Sequence, residues 1–154
     1  MRLSESHSLP VPLVDAWAAL NDLAVLQQAL PGCESLLQIA TDEFVGEMAI
    51  PLGLTTSHAT IYIHRRDIDA PRGCTLHFET RMPAAGGTGS AAMRLTPQSG
   101  DRTTLQVEVA VEVSGVVAQF SGPLIDIAAR QMAALFFERF REGAVARHAD
   151  TAIP

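Results

Sequence analysis

Residues 103–115 alternate between apolar and polar side chains and then lead, after a short link, into one long helix of unusual apolarity. Successive side chains of a strand point to opposite sides. Leu105, Val107, Val109, Val111 and Val113 therefore share one face, while Thr104, Gln106, Glu108 and Glu112 share the other. One face is built for a core. The helix that follows carries Leu124, Ile125, Ala128, Met132, Leu135, Phe136 and Phe140 along one broad stripe, widened by Ile127, Ala133, Ala134 and Phe137. Such a helix needs apolar partners over most of its circumference. A curved antiparallel sheet wrapped around it supplies many of them, and a hydrophobic ligand can supply the remainder.

The rest of the chain reads as the parts of that sheet. Arg2–Leu9 is a first strand, broken by Pro10 and Pro12. Leu13–Leu20 has helical spacing, with Pro12 entering where a missing N–H costs little. A second short helix covers 22–29, and Pro31 and Gly32 stop it. Strands follow over 35–39, 44–50, 55–66, 74–82 and 90–96, then the strand 103–115. Glycines 86, 87 and 89 are read as the loop between the fourth and fifth of these six strands. The connections are too short for helical crossovers, so the sheet is antiparallel. Residues 116–120 form the lead-in to the last helix, Ser121 or Gly122 caps it, Pro123 starts it, and it runs over 123–146, about 36 Å. The expected class is α+β, with about seven antiparallel strands. One domain spans 1–148, and 149–154 is a tail.

Charge and composition exclude several classes of function. A net charge of −6, without any cluster of Lys and Arg, argues against phosphate-backbone binding, so no nucleic-acid partner is expected. The first residues lack a secretory signal pattern, and Asp126 and Arg130 interrupt the most apolar helix. A soluble cytoplasmic protein with at most peripheral membrane contact is the expectation. Only 5% of the residues are aromatic, and Ala91, Ala92, Ala128, Ala129, Ala133 and Ala134 stand where larger core residues are common. Small residues there mean either tight packing or an interior left unfilled.

Motifs for covalent or metal chemistry are weak. Cys33 and Cys74 have no paired spacing and read as packing thiols. His58 and His64 share a strand face at roughly 20 Å, too far for one ion, so neither a metal nor a cofactor is expected. Gly86-Gly-Thr-Gly-Ser90 lacks the lysine and the following helix of a phosphate-binding loop, and reads as strand punctuation. Glu108 and Glu112, roughly 13 Å apart on the polar face, read as solvated surface. No nucleophile elbow is present.

Val14-Asp-Ala-Trp17 before Asn21 and Asp22, Leu30-Pro-Gly-Cys-Glu34, Gly46-Glu-Met-Ala-Ile-Pro-Leu-Gly53, Gly89-Ser-Ala-Ala-Met-Arg-Leu95, Thr103-Thr-Leu105 and Gly115-Val-Val-Ala-Gln-Phe-Ser-Gly122 occur in an order and spacing that cover nearly the whole chain. In that order they resemble the carbon monoxide dehydrogenase G-subunit family of the START-like, or SRPBCC, superfamily. The resemblance implies a helix-grip fold: a strongly curved antiparallel sheet around a long C-terminal helix, with two short helices after strand 1 closing one end. It also implies an apolar cavity between sheet and helix, and an association with molybdenum-containing hydroxylases or carbon monoxide dehydrogenases. Many relatives carry a C-terminal extension, sometimes apolar, whereas this sequence ends at Pro154, so direct membrane anchoring is not expected.

Within that frame the expected cavity lining is Trp17, Phe44, Met48, Ile61, Ile63, Phe78, Met93, Leu95, Val107, Val109, Val111, Ile125, Ala128, Met132, Leu135 and Phe136. Tyr62, His58 and His77 would offer a polar anchor only if their strand faces were reversed. Three functions fit. The first is non-catalytic binding and delivery of a hydrophobic small molecule, such as a quinone or isoprenoid-like lipid, to a molybdenum hydroxylase or carbon monoxide dehydrogenase. The second is assembly or membrane recruitment of that complex without ligand use, and the third is a cyclase or dehydratase in the same cavity. Both monomer and homodimer are compatible with the sequence.

Overall fold

The computed structural model describes residues 1–52, 54–83, 85–115 and 122–152, with the side chains at 52, 122–125 and 152 outside that description. In chain order the elements are β1 (Arg2–Leu9), α1 (Leu13–Leu20), α2 (Leu23–Ala29), β2 (Cys33–Ala40), β3 (Glu43–Leu52), β4 (Thr55–Asp69), β5 (Gly73–Met82), β6 (Ala85–Gln98), β7 (Arg102–Gly115) and α3 (Gly122–Ala152). The seven strands form one sheet in the order β1-β7-β6-β5-β4-β3-β2, each neighbour antiparallel. Strands β2 to β7 thus form a meander of hairpins, and β1 joins its far side beside β7.

Register decides which residues look inward, because directly paired residues share a face of the sheet. Phe44 pairs with Ile63, Ile63 with Phe78, Phe78 with Gly89 and Gly89 with Val111, which makes one row across the inner face. A parallel row joins Met93 to Cys74 and Val107, and Val107 to Glu5. The polar residues predicted outward, including Thr104, Gln106, Glu108 and Glu112, occupy the other face.

One end of the grip is closed by packing. Leu9, Val11, Ala16, Ala19, Leu20, Val25, Ala29, Leu95, Leu105, Phe140 and Ala144 form a buried core where α1, α2 and the C-terminal half of α3 meet β6 and β7. The close backbone approaches of α3 are to α2, α1 and β1. Helices α2 and α3 come together at Gly143, where a Cβ would sit 3.0 Å from Val25 Cγ1. Asp22 serves two elements here. Its side chain accepts hydrogen bonds from the N–H groups of Ala24 and Val25, capping α2, and its other oxygen lies 3.1 Å from Arg147 Nε on α3. The fully buried Thr103 donates its hydroxyl to the Val11 carbonyl at 2.8 Å, tying β7 to the entry of α1.

Two expectations are corrected. Gly86, Gly87 and Gly89 lie inside β6, paired with both β5 and β7, and not in a loop. Glycine is required there by a close approach: a Cβ on Gly89 would fall 2.6 Å from the Phe78 ring and 2.5 Å from the Ala110 carbonyl oxygen. The run of small residues reads as a turn in one dimension, whereas in three Gly89 gives space to a facing ring. The last helix also continues through Ala152, about 46 Å of α-helix, so residues 149–152 belong to it and not to a tail. The expected lead-in over 116–120 and a cap at Ser121 lie outside the described residues.

Candidate functional site

The predicted lining residues divide into two groups. Met93, Leu95 and Val107 are buried within the core, and Trp17, Val109 and Phe136 pack against it half-buried. These residues hold the closed end together. Phe44, Ile61, Ile63, Phe78, Val111 and Met132 are half-buried although register sets the five strand residues on the inner face. Met48 is buried opposite Ala59 on that face. The expected helix stripe is rotated. Among the described side chains of α3 the buried ones are Phe137, Phe140 and Ala144, whereas Ala128 is exposed and Leu135 is 41% exposed. Neither is enclosed as the sequence pattern implied, since at 100° per residue both sit well away from Phe140. The side chain of Ile125 is outside the described residues.

The inner face over β3, β4, β5 and β6 therefore has a core's composition and only partial cover. Its floor is shallow where β6 contributes Gly87 and Gly89, because no side chain rises from either position. Phe78 fills part of that gap, and Ile61, Ile63 and Phe44 continue the apolar surface towards β3. Ile127 is 53% exposed, so apolar surface near the start of α3 is also left open to solvent.

Sequence reading missed the polar members of this face. Arg65 follows Ile61 and Ile63 on the inner side of β4, and its side chain is only 18% exposed. It donates from Nε to Asp42 at 2.9 Å, reaches the same oxygen from Nη2 at 2.7 Å, and also bonds the Asn21 side chain. Its guanidinium stands 5.5 Å from the centre of the Phe44 ring. Arg65 thus binds the β2–β3 turn to the junction of α1 and α2. On β1, Glu5 and His7 also face inward, 2.8 Å apart, with the imidazole stacked at 3.9 Å on Phe137. The spacing Leu3, Glu5, His7, Leu9 contains the signal, but two polar residues between the leucines hide the period.

Tyr62, His58 and His77 are on the outer face, so the strand faces are not reversed and none of the three projects toward the interior. Both thiols are poor nucleophiles. Burial pushes the Cys33 thiol up, opposed by a backbone hydrogen bond at Ser35 that favours the thiolate, and burial raises Cys74 despite the positive charge of Arg65. The backbone of the Gly86–Gly89 stretch is engaged in sheet pairing, which removes the phosphate-cradle reading. Among the described residues no group of three or more His, Cys, Asp or Glu is placed to hold a metal, and no helix is long and apolar enough to cross a membrane.

A seven-stranded antiparallel grip on a C-terminal helix, with two short helices at one end, is the START-like fold. A conserved protein from Geobacillus kaustophilus superposes with a TM-score of 0.89 at 22% identity, covering 96% of this chain and 97% of that one. An aromatase/cyclase from Streptomyces sp. R1128 gives 0.69 at 14% identity, with 96% and 94% covered, and a START superfamily protein from Mycobacterium smegmatis gives 0.68 at 13%, with 97% and 98% covered. At these identities the likeness establishes the fold alone. Among curated proteins nothing matches the sequence. The family model for the carbon monoxide dehydrogenase G subunit (CoxG) matches residues 8–145, and the chain belongs to that family. Family and fold together suggest a hydrophobic ligand-binding domain.

Proposed function

We propose that this protein binds a hydrophobic small molecule, of quinone or isoprenoid-like character, between the inner face of β3–β6 and the N-terminal half of α3. It then delivers that molecule to a molybdenum-containing hydroxylase or carbon monoxide dehydrogenase in the cytoplasm. The observation that carries the proposal is the half-exposed apolar row of Phe44, Ile63, Phe78 and Val111 on the inner face of the sheet. Each Å² of that surface a guest covers contributes roughly 25 cal/mol, less the cost of ordering guest and side chains. Membership of the family supports the choice of partner.

The polar side chains of the inner face favour binding over chemistry. Arg65 is held by Asp42 and Asn21, and Glu5 by His7, so both are committed to structural contacts. A cyclase or dehydratase needs an acid or base aimed at its substrate.

The test uses Ile61→Trp, which fills the inner face while leaving the closed end intact. Added to the partner hydroxylase with a short-chain prenylated quinone, the native chain should accelerate electron transfer to that quinone and the variant should not. Equal support by both proteins would overturn the carrier reading in favour of an assembly or recruitment role that makes no use of the cavity.

A further inference from the structure

The outer face carries a second feature, independent of the inner cavity. A depression of about 290 Å³ lies across β2 to β5, lined by Ile39, Glu43, Tyr62, His64, His77 and Glu79 together with Phe44, Ile63 and Phe78. His64 and His77 are direct partners across the β4–β5 ladder, and Glu43 is the direct partner of His64 across β3–β4. Directly opposed residues on one face bring their Cβ atoms to about 4.5–5.5 Å, so two imidazoles in that relation can turn their nitrogens onto one point above the sheet. Glu43 Oε1 lies 3.4 Å from His64 Nδ1. A carboxylate on one ring nitrogen orients the imidazole and leaves Nε2 as the metal-facing donor. His77 is exposed and has no hydrogen-bond or ionic partner among the described residues. Two imidazoles and the Glu43 carboxylate give the depression donors for a cation, while Glu79 is engaged by Arg81 at 2.9 Å, whose guanidinium lies over the Tyr62 ring.

We propose that His64 and His77 form a two-histidine chelate for a divalent transition-metal ion on the outer face of the sheet. Imidazole donors select Zn²⁺, Ni²⁺ or Cu²⁺ over Mg²⁺ or Ca²⁺. Among the described residues no third protein ligand lies within reach. The remaining coordination positions go to water or to a donor from another molecule, which makes the ion exchangeable.

The experiment is calorimetric titration of the whole chain with ZnCl₂ and NiCl₂ alone in a non-coordinating buffer. One equivalent is expected, and His64→Ala and His77→Ala should each weaken binding by about tenfold or more, with Glu43→Gln close behind at about tenfold. His58→Ala, which removes another exposed imidazole from β4, and Cys33→Ser should leave binding unchanged. All five substitutions are at exposed or half-buried positions, and circular dichroism confirms that each variant is folded. Equal affinity in wild type, His64→Ala and His77→Ala, or no saturable binding up to roughly 1 mM, would overturn the site.

Discussion

The two ends of the grip use the same residue types to opposite effect. At the closed end Leu9, Leu105 and Phe140 are almost completely buried, and the links that hold them are specific: Thr103 to Val11, Asp22 to α2 and Arg147, Gly143 against Val25. At the open end Phe44, Ile63 and Phe78 stand on the same face of the same sheet and keep part of their surface in water. An apolar inward pattern says which side of a strand faces the interior. It does not say whether another protein element fills that interior, and at the open end the difference is a place for a guest.

That contrast sets an order of expected effects. Phe140→Ala should destabilise the fold by about 3–5 kcal/mol in urea unfolding, because it empties a close-packed site, whereas Phe78→Ala should cost about 1 kcal/mol, since its ring is only half-buried. Similar losses at the two positions would erase the distinction between the ends. Gly89→Val should cost about 1–3 kcal/mol by driving a side chain into the Phe78 ring and the β7 backbone. Pairing it with Phe78→Ala should recover part of the loss, and a purely additive double variant would show that the ring is not the obstacle.

Asp22→Ala should lower stability by about 1 kcal/mol through loss of the α2 cap. The half-exposed ion pair with Arg147 adds little, so Arg147→Ala alone should be nearer neutral. The smallest effect is in alkali. Burial raises the Cys74 thiol in the folded protein, so the unfolded chain releases that proton first. Stability is fully present below the ordinary thiol pKa and declines as pH rises from there through the raised folded value. Melting temperatures across that range should fall less steeply for Cys74→Ala than for the native chain, and identical slopes would show that the thiol is not responsible.

Much of the architecture was legible in the sequence because period-two strands, proline stops and short hairpin connections act locally. The strand 103–115 and the helices near Leu13–Leu20 and 22–29 needed only nearest neighbours. Gly86, Gly87 and Gly89 did not read correctly, since they lie inside β6, and the reason for Gly89 is the Phe78 ring on the neighbouring strand. Arg65 was missed because a charged residue at the end of an apolar alternation resembles a strand terminus, and only tertiary contact with Asp42 and Asn21 brings it under cover. The helix stripe was read too far toward Ala128 and Leu135. A helix apolar on several sides leaves its phase undetermined until α1, α2 and β1 select the side of Phe137, Phe140 and Ala144. The His64–His77 pair was invisible for a different reason: the two residues are joined by register across a hairpin and not by spacing along the chain.

The most direct measurement of the central claim is native mass spectrometry of the chain incubated with a short-chain prenylated quinone, run beside Ile61→Trp. The native protein should retain one equivalent of quinone and the variant none, with both folded by circular dichroism. Failure of the native chain to hold the quinone, or equal retention by the variant, would contradict an open, ligand-accepting inner face.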